Sequence, residues 1–275
     1  MSKEISVVID SVSSLPPDLA KEKNIDIIPA IITFKDRSFR DGVNIGMDEF
    51  MRLLEESSVL PTTAAPSLGD YITVYEKHPG DIISIHLGSG FSAFFSTAEA
   101  AAQEVGERVH PLDSRSVSFG VGFMAIKAAD LAIQGATVEQ ILEELNDMRE
   151  RTTVMASLDT LDNLEKGGRA SRVENIFGSL LQIKPILRIQ DNEFSLLEKP
   201  RTRKKSLSRL VELTESLGPL DQVAVLYADT PEDGKTVAKE IERFYSGQIM
   251  LGNIGPALAT HGGPGIVGVC AVTRK

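Results

Sequence analysis

The first apolar run of the chain, ISVVID, ends on Asp10 and gives way at once to the polar, proline-bearing SVSSLPPDLAKEK. A short unbroken apolar run bounded by turn signals predicts a strand covered on both faces. Ser14 is placed as the N-cap of the helix that follows, with proline in its first turn. The alternation then repeats. IDIIPAIITF reads as a second apolar run, KDRSFRDGVN as a polar separator, MDEFMRLLEES as an amphipathic helix and PTTAAPS as a break. SLGDYITVYEKH reads as a helix capped by Ser67, DIISIHL as a strand, and FSAFFSTAEAAAQEV as the next helix. RVHPLDS is a strand ending on Asp113 and Ser114, followed by helices over residues 117–134 and 138–151, the second capped by Thr137. Strands alternating with helices predict a mostly parallel sheet with helices on both faces. In such sheets ligands sit beyond the carboxyl ends of the strands.

The pattern changes after residue 151. TVMASLD is a strand, LDNLEKGGRAS a short helix stopped by two glycines, and IFGSLLQ an apolar helix-like segment. IKPILRI and EFSLLEK flank Asp191–Asn192, which reads as a hairpin turn, because asparagine tolerates the left-handed backbone such turns need. A basic helix over 202–216, the strand QVAVLYAD, a helix over 231–245 and two last strands complete a mixed sheet with helices. The expected architecture is two α/β domains, residues 1–155 and 156–275.

Composition narrows the function. A chain of 275 residues with 42% hydrophobic and 25% charged content has the make-up of a soluble globular protein. Its net charge of −10 argues against nucleic acid as a partner, which calls for a basic footprint. The single cysteine, Cys270 in VGVCAV, reads as a small core residue and suits a reducing compartment. No apolar run approaches the about 20 residues of a membrane span, and no signal-peptide pattern opens the sequence. The expected location is the cytoplasm. The four histidines have no ligand spacing and no cysteine partner, so neither a metal nor a cofactor is expected.

Several loops could carry chemistry. In IHLGSGFSAFF, Gly88 and Gly90 let the backbone turn, and Ser92 falls near the start of a helix, where it either caps that helix or meets an anion. LPTTAAPS offers Thr62 and Thr63. KGGRAS offers Arg169, which either grips a carboxylate or pairs with an aspartate. Asp10–Ser11 forms an Asx turn or supports a pocket. KPRTRKK, residues 199–205, is either a solvated face or a dock for an acidic partner. THGGPG reads as non-helical, with glycines clearing space around His261. An enzymatic alternative makes Ser92 a nucleophile, His261 its base and Asp10 or Asp113 the orienting carboxylate. However, FSAFF does not match the G-x-S-x-G elbow.

Taken in order, DSVSSLPPDL, LPTTAAPS, FSAFFSTA, LDS at 112–114, LDNLEKGGRAS, IKPIL, RTRKK and IGPALATHGGPG make the chain resemble the DegV family of fatty-acid-binding proteins, from end to end. The resemblance implies one long-chain fatty acid held between the two domains by a protein that is not itself an enzyme. Thr63 and Ser92 would hold the carboxylate and His261 would complete the polar cluster, with Thr62, Gly262 and Arg169 beside them. Some members present the acyl chain to a fatty acid kinase, which phosphorylates the carboxylate and feeds phospholipid metabolism. Arg201 and Arg203 would then face the kinase, and transient membrane contact is compatible with such a role. Residues 176–186 are the candidate wall for the tail. Ala64 stands where the family usually has serine. FSAFF replaces the usual L-S-G-T-Y, and Asn192 replaces the hairpin glycine, so a thinner polar shell is expected.

Overall fold

In a computed structural model of the chain, residues 4–57, 59–169, 173–174 and 183–275 are described. The first lobe begins with β1 (Ile5–Asp10), a 3-10 turn at Ser11–Ser13, α1 (Pro17–Glu22) and β2 (Ile25–Ile28). It continues through β3 (Ile31–Phe34), β4 (Arg37–Arg40), α2 (Met47–Glu56), β5 (Thr62–Ala64) and α3 (Leu68–Tyr75). Next come β6 (Asp81–His86), α4 (Phe94–Val105), β7 (Val109–Asp113), α5 (Phe119–Ile133) and α6 (Val138–Arg151). β8 (Thr152–Ser157) opens the second sheet, followed by α7 (Asp162–Lys166), β9 (Val173–Glu174), β10 (Ile186–Gln190) and β11 (Glu193–Glu198). The chain closes with α8 (Arg203–Glu215), β12 (Leu220–Tyr227), α9 (Pro231–Ile241), β13 (Ile249–Asn253), α10 (Pro256–Gly262) and β14 (Val267–Thr273).

The first sheet, in the order β2-β1-β6-β7, is parallel throughout, as the continuous apolar runs require. Val8, Ile28 and Ile82 pack on Tyr71, Tyr75, Ala98 and Ala101 of α3 and α4. On the opposite face, Val7, Ile9, Ile83 and Ile85 meet α5. The second sheet has the order β13-β12-β14-β8-β10-β11-β9 and mixes parallel with antiparallel pairs. Helices α8 and α9 cover its outer face through Leu207, Leu210, Val237 and Ile241. Helix α5 is buried along most of its length, as expected of a helix that is apolar nearly all round. It touches β1 and β6 on one side and β8, β12 and β14 on the other, so a single core joins the two sheets.

Three local expectations are corrected. IDIIPAIITF is not one run: Pro29 and Ala30 break it into β2 of the parallel sheet and β3 of a separate antiparallel sheet, β4-β3-β5. PTTAAPS supplies β5, whose Thr63 pairs with Ile32, because backbone pairing to β3 outweighs a short polar sequence. Ser14 caps no helix. It ends the 3-10 turn in a left-handed conformation, and Pro16 occupies the N-cap of α1. Ser67 and Thr137 do form capping boxes.

The hairpin β10–β11 ties the lobes together at its tip. Asp191 and Asn192 have φ of 49° and 64°, the left-handed pair that a tight two-residue hairpin turn uses. The Asn192 side-chain amide donates to Ser89 Oγ (3.1 Å) and Asp113 Oδ2 (2.9 Å), and its backbone N–H donates to the Arg115 carbonyl (3.2 Å). Burial works against the Asp113 charge, yet hydrogen bonds from Ser89, Arg115 and Asn192 hold its carboxyl below the usual range. A Cβ on Gly88 would overlap the Asn192 side chain, and one on Gly90 would overlap its backbone carbonyl. These glycines therefore admit the hairpin tip. Gly90→Ala is expected to lower stability by about 1–3 kcal/mol through overpacking at that contact. Urea unfolding measures it, and an unchanged midpoint would show that the tip does not dock there.

Candidate functional site

Strand alternation separates the two threonines of β5. Thr62 is exposed and Thr63 turns toward the second lobe. There Thr63 Oγ1 lies 2.7 Å from His261 Nε2. Contrary to the non-helical reading of THGGPG, Thr260, His261 and Gly262 form the last turn of α10, and the chain leaves the helix only at Gly263, with φ of 78°. The space beside the ring comes from elsewhere. A Cβ on Gly167, just past α7, would lie 2.7 Å from His261 Nδ1. The first of the two glycines that stop α7, Gly167, thus also seats the imidazole. Arg169 follows and donates from Nη1 to the Gly167 carbonyl at 2.6 Å.

Thr63, Ser92, Arg169 and His261 line one cavity of about 60 Å³ at the carboxyl ends of β1 and β6. Ser92 precedes α4 and does not cap it; the N-cap is Ala93, without a side-chain bond. A second cavity of about 80 Å³ lies between Val117 and Ser118 just before α5, the second sheet and α10. Its walls include Leu158, Leu187, Ile189, Leu226 and Ile266, with Gly262 and Cys270 also at its surface. Val117, Leu164, Phe194, Leu258 and His261 border both spaces, and Thr63, Ser92 and Arg169 bring polar groups to the otherwise apolar first one. Phe194 stacks on Phe91 across the lobes, with centroids 4.6 Å apart and planes tilted by 55°. Ile186 belongs to β10, whereas residues 176–182 of the expected tail wall lie outside the described residues.

Of the expected site residues, Thr63, Ser92, Arg169 and His261 share the first cavity and Gly262 lies on the second. Thr62 is on neither. Arg201 is exposed. Arg203 is engaged within the chain, with Asp233 at 2.8 Å and Asp159 at 3.3 Å. Sequence reasoning missed Phe194, Gly167 and Asp41. The first two are brought to the site by elements distant in sequence, and no local signal marks them.

The electrostatics favour a neutral ring. Burial pushes the His261 imidazole down to about 4, and the Arg169 charge acts in the same direction. Its Nδ1 is buried without a hydrogen-bond partner among the described residues. A lone pair can stand unpaired there, beside a cation, at less cost than an unpaired N–H. The tautomer protonated on Nε2 therefore fits, with Nε2–H donating to Thr63 Oγ1 and the Thr63 hydroxyl proton left for a ligand. The expected catalytic orienters are committed elsewhere. Asp10 receives the Leu87 N–H at 2.8 Å and meets His86, and Asp113 receives Ser89. Among the described residues no group of acidic, histidine and cysteine side chains could hold a metal ion, and no helix is long and apolar enough to cross a membrane.

A parallel four-stranded sheet and a mixed seven-stranded sheet, joined by one core with two small cavities at their junction, define a two-lobed α/β protein. The chain belongs to the DegV family, whose pattern it matches over residues 4–274. That family is described as "Uncharacterised protein, DegV family". It is 34% identical to Protein DegV of Bacillus subtilis over 275 residues, covering 97% of this chain and 98% of that one. A DegV domain-containing protein of Listeria innocua is 33% identical over 278 residues, with 98% of both chains covered. Among solved structures, Bacillus subtilis DegV, a fatty acid binding protein, superposes with a TM-score of 0.90 at 32% identity, covering 99% of this chain and 100% of that one. A fatty-acid-binding DegV family protein of Thermus thermophilus does so with 0.90 at 28% identity, covering 98% and 100%.

Two buried groups set opposite pH slopes. Burial raises the Asp41 carboxyl to about 6, against hydrogen bonds from Ser11 and Ala257. Between about pH 4 and 6.5 the unfolded chain protonates His261 while the folded chain does not. The stability from its neutral ring is therefore whole above that window and lost as pH falls. Between about pH 4 and 6 the folded chain holds a proton on Asp41 that the unfolded chain has released, so that contribution is lost as pH rises. Relative to wild type, His261→Gln should lose stability as pH rises through this range, and Asp41→Asn should gain it. Urea unfolding at successive pH values checks both, and parallel curves for all three proteins would contradict the assignment.

Proposed function

We propose that this protein binds one long-chain fatty acid between its lobes, residues 1–155 and 156–275, and performs no chemistry on it. One observation carries the reading: Thr63, Ser92, His261 and Arg169 meet at one end of a space whose other end is aliphatic. The fatty-acid-binding relatives of the same fold support it. Burying a tail contributes roughly 0.8 kcal/mol per methylene, on the order of 10 kcal/mol for about sixteen carbons before ordering costs. Burying the carboxylate is unfavourable unless donors replace its water. The Thr63 and Ser92 hydroxyls supply neutral donors, the Nε2–H of His261 directs the Thr63 proton outward, and Arg169 adds positive charge. A tail of this length needs more room than the cavities of about 60 and 80 Å³ offer, so loading it requires Phe194 and Leu258, which border both, to turn aside.

Hydroxyl donors leave the carboxylate oxygen chemically available, which suits a carrier that presents it to a fatty acid kinase for acyl phosphate formation. Arg201, exposed beside the likewise exposed Lys204 and Lys205, makes the kinase contact in this proposal. Arg203, held by Asp159 and Asp233, braces the patch and adds its charge.

Organic extraction of the purified protein followed by mass spectrometry should release a long-chain fatty acid. Thr63→Ala and Ser92→Ala should each weaken rebinding roughly 10- to 100-fold, the worth of a hydrogen bond to a charged group. With a fatty acid kinase, Arg201→Glu should lower acyl phosphate yield while leaving fatty acid content unchanged. Absence of any lipid in the extract would defeat the carrier reading. Turnover of an acyl ester that is lost in Ser92→Ala would replace it with the hydrolase.

A further inference from the structure

Behind the polar cavity lies a second layer of polar groups that touches no part of the space itself. Asp10, at the end of β1, accepts the Val12 N–H on Oδ1 (3.0 Å) and the Leu87 N–H on Oδ2 (2.8 Å). Ser11 accepts the Ala30 N–H (3.0 Å) and donates to Asp41 Oδ2 (2.8 Å). Asp41 is buried, and its own N–H donates to the Ala30 carbonyl at 2.9 Å. Its carboxylate sits against the start of α10: a Cβ on Gly255, the N-cap, would lie 3.2 Å from Oδ2, and the Ala257 N–H directs its positive end at the group. Oδ1 is buried without a full hydrogen bond. Val12, Ala30, Leu87 and Ala257, the four residues whose N–H groups this layer engages, all line the cavity that holds Thr63, Ser92 and His261.

We infer that Asp41 is a positioning residue for the carboxylate pocket, acting with Ser11 and Asp10 to hold the start of α10 against the first lobe and so fix His261, on the last turn of that helix, on Thr63. The physical reason for an aspartate is specific. Pro256 has no N–H and the Leu258 N–H reaches the Gly255 carbonyl (3.1 Å), so in the first turn of α10 the Ala257 N–H is left without a partner in the helix, and the buried Asp41 carboxylate faces it. Here the helix belongs to the second lobe and the carboxylate to the first, so the same contact sets the spacing between the two walls of the site. An alanine here would leave the Ala257 N–H without its anion and the Ser11 hydroxyl without its acceptor. The α10 axis could then shift, and the Thr63–His261 contact lies at its far end.

The effect on ligand affinity rests on the carrier reading, but the effect on His261 does not. In Asp41→Ala, the ring 15N and 1H signals of His261, recorded on protein stripped of lipid, should broaden or split as the Nε2–H to Thr63 bond loses its single geometry. Fatty acid affinity should fall about tenfold, the scale typical of groups that orient a binding residue from behind. Asp41→Asn keeps the shape and can still accept from Ser11, but brings an amide toward Ala257; it should fold more stably than the alanine variant and still show the disturbed His261 signal. Ser157→Ala, which removes a buried hydroxyl bonded to Ser206 and lining neither cavity, serves as the control for a general loss of stability. An unchanged His261 spectrum in both Asp41 variants, or an equal affinity loss in Ser157→Ala, would overturn the inference. Wild-type protein that binds no fatty acid would instead overturn the carrier reading and leave the spectral test standing.

Discussion

The hydrogen bond between Thr63 and His261 joins residues 198 positions apart, one on a three-residue strand and one on a seven-residue helix. Neither element is stable alone. β5 exists because β3 offers it backbone partners, and α10 because its apolar face packs into the core through Ala257 and Ala259. What makes the bond useful is its surroundings. The imidazole is buried deeply enough to stay neutral, with one nitrogen on Thr63 and the other, bare, over Gly167. A charged imidazolium would bind a carboxylate more strongly and release it less readily. In the proposed carrier, a neutral ring that orders a hydroxyl would replace part of the water an anion loses, beside the charge of Arg169.

The two sheets meet this demand through α5 and the hairpin tip. Because α5 is apolar on both sides, the lobes share a core and are not two bodies on a hinge of solvated surface. The cavity is a local failure of that core to close, bounded by Phe91 and Phe194 and opening toward the polar end. At the tip, Asn192 reaches Ser89 and Asp113 of the first lobe, so the strand that carries Phe194 is positioned by a contact two residues away. Packing in the apolar space and hydrogen bonding at the tip therefore act on the same aromatic pair.

Much of this was legible in the sequence, for identifiable reasons. The parallel sheet was readable because ISVVID and DIISIHL are buried on both faces and carry no alternation to confuse them. The hairpin at Asp191–Asn192 was readable because few residues tolerate consecutive positive φ. Thr63, Ser92 and His261 were singled out as a set by the resemblance to the DegV family, since their local sequences alone left capping and connector roles open; the structure brings all three to one cavity. The failures share a cause. β5 was missed because its strand character comes from β3 and not from Thr-Thr-Ala. The turn of α10 was misread because Gly262 and Gly263 weigh against a helix locally, whereas the buried Ala257 and Ala259 hold it. Gly88 and Gly90 do lie in a turn, closed by the Phe91 N–H on the Gly88 carbonyl, but they also admit the hairpin tip from the other lobe, which no spacing records. Asp41 in FRDGVN looks like an ordinary turn aspartate; only its burial against a helix more than 200 residues later sets it apart.

The fold also contains a serine, a histidine and an aspartate in line, and the comparison with the ligand site is instructive. Ser84 Oγ lies 2.6 Å from His86 Nε2, and His86 Nδ1 lies 3.2 Å from Asp10 Oδ2. By distances alone this resembles a nucleophile, a base and its orienter. Yet all three are fully buried, Ser84 is bonded at 2.8 Å to the Tyr75 hydroxyl, and none of them lines either cavity of the site. His261, which does border a cavity, has no carboxylate on its second nitrogen. The chain thus places the oriented histidine where no substrate can arrive, and places the accessible histidine where nothing draws a proton through it. Nucleophilic catalysis needs both properties in one residue. Their separation leaves the Asp10–His86 pair to hold the loops after β1 and β6, and His261 to orient the Thr63 hydroxyl.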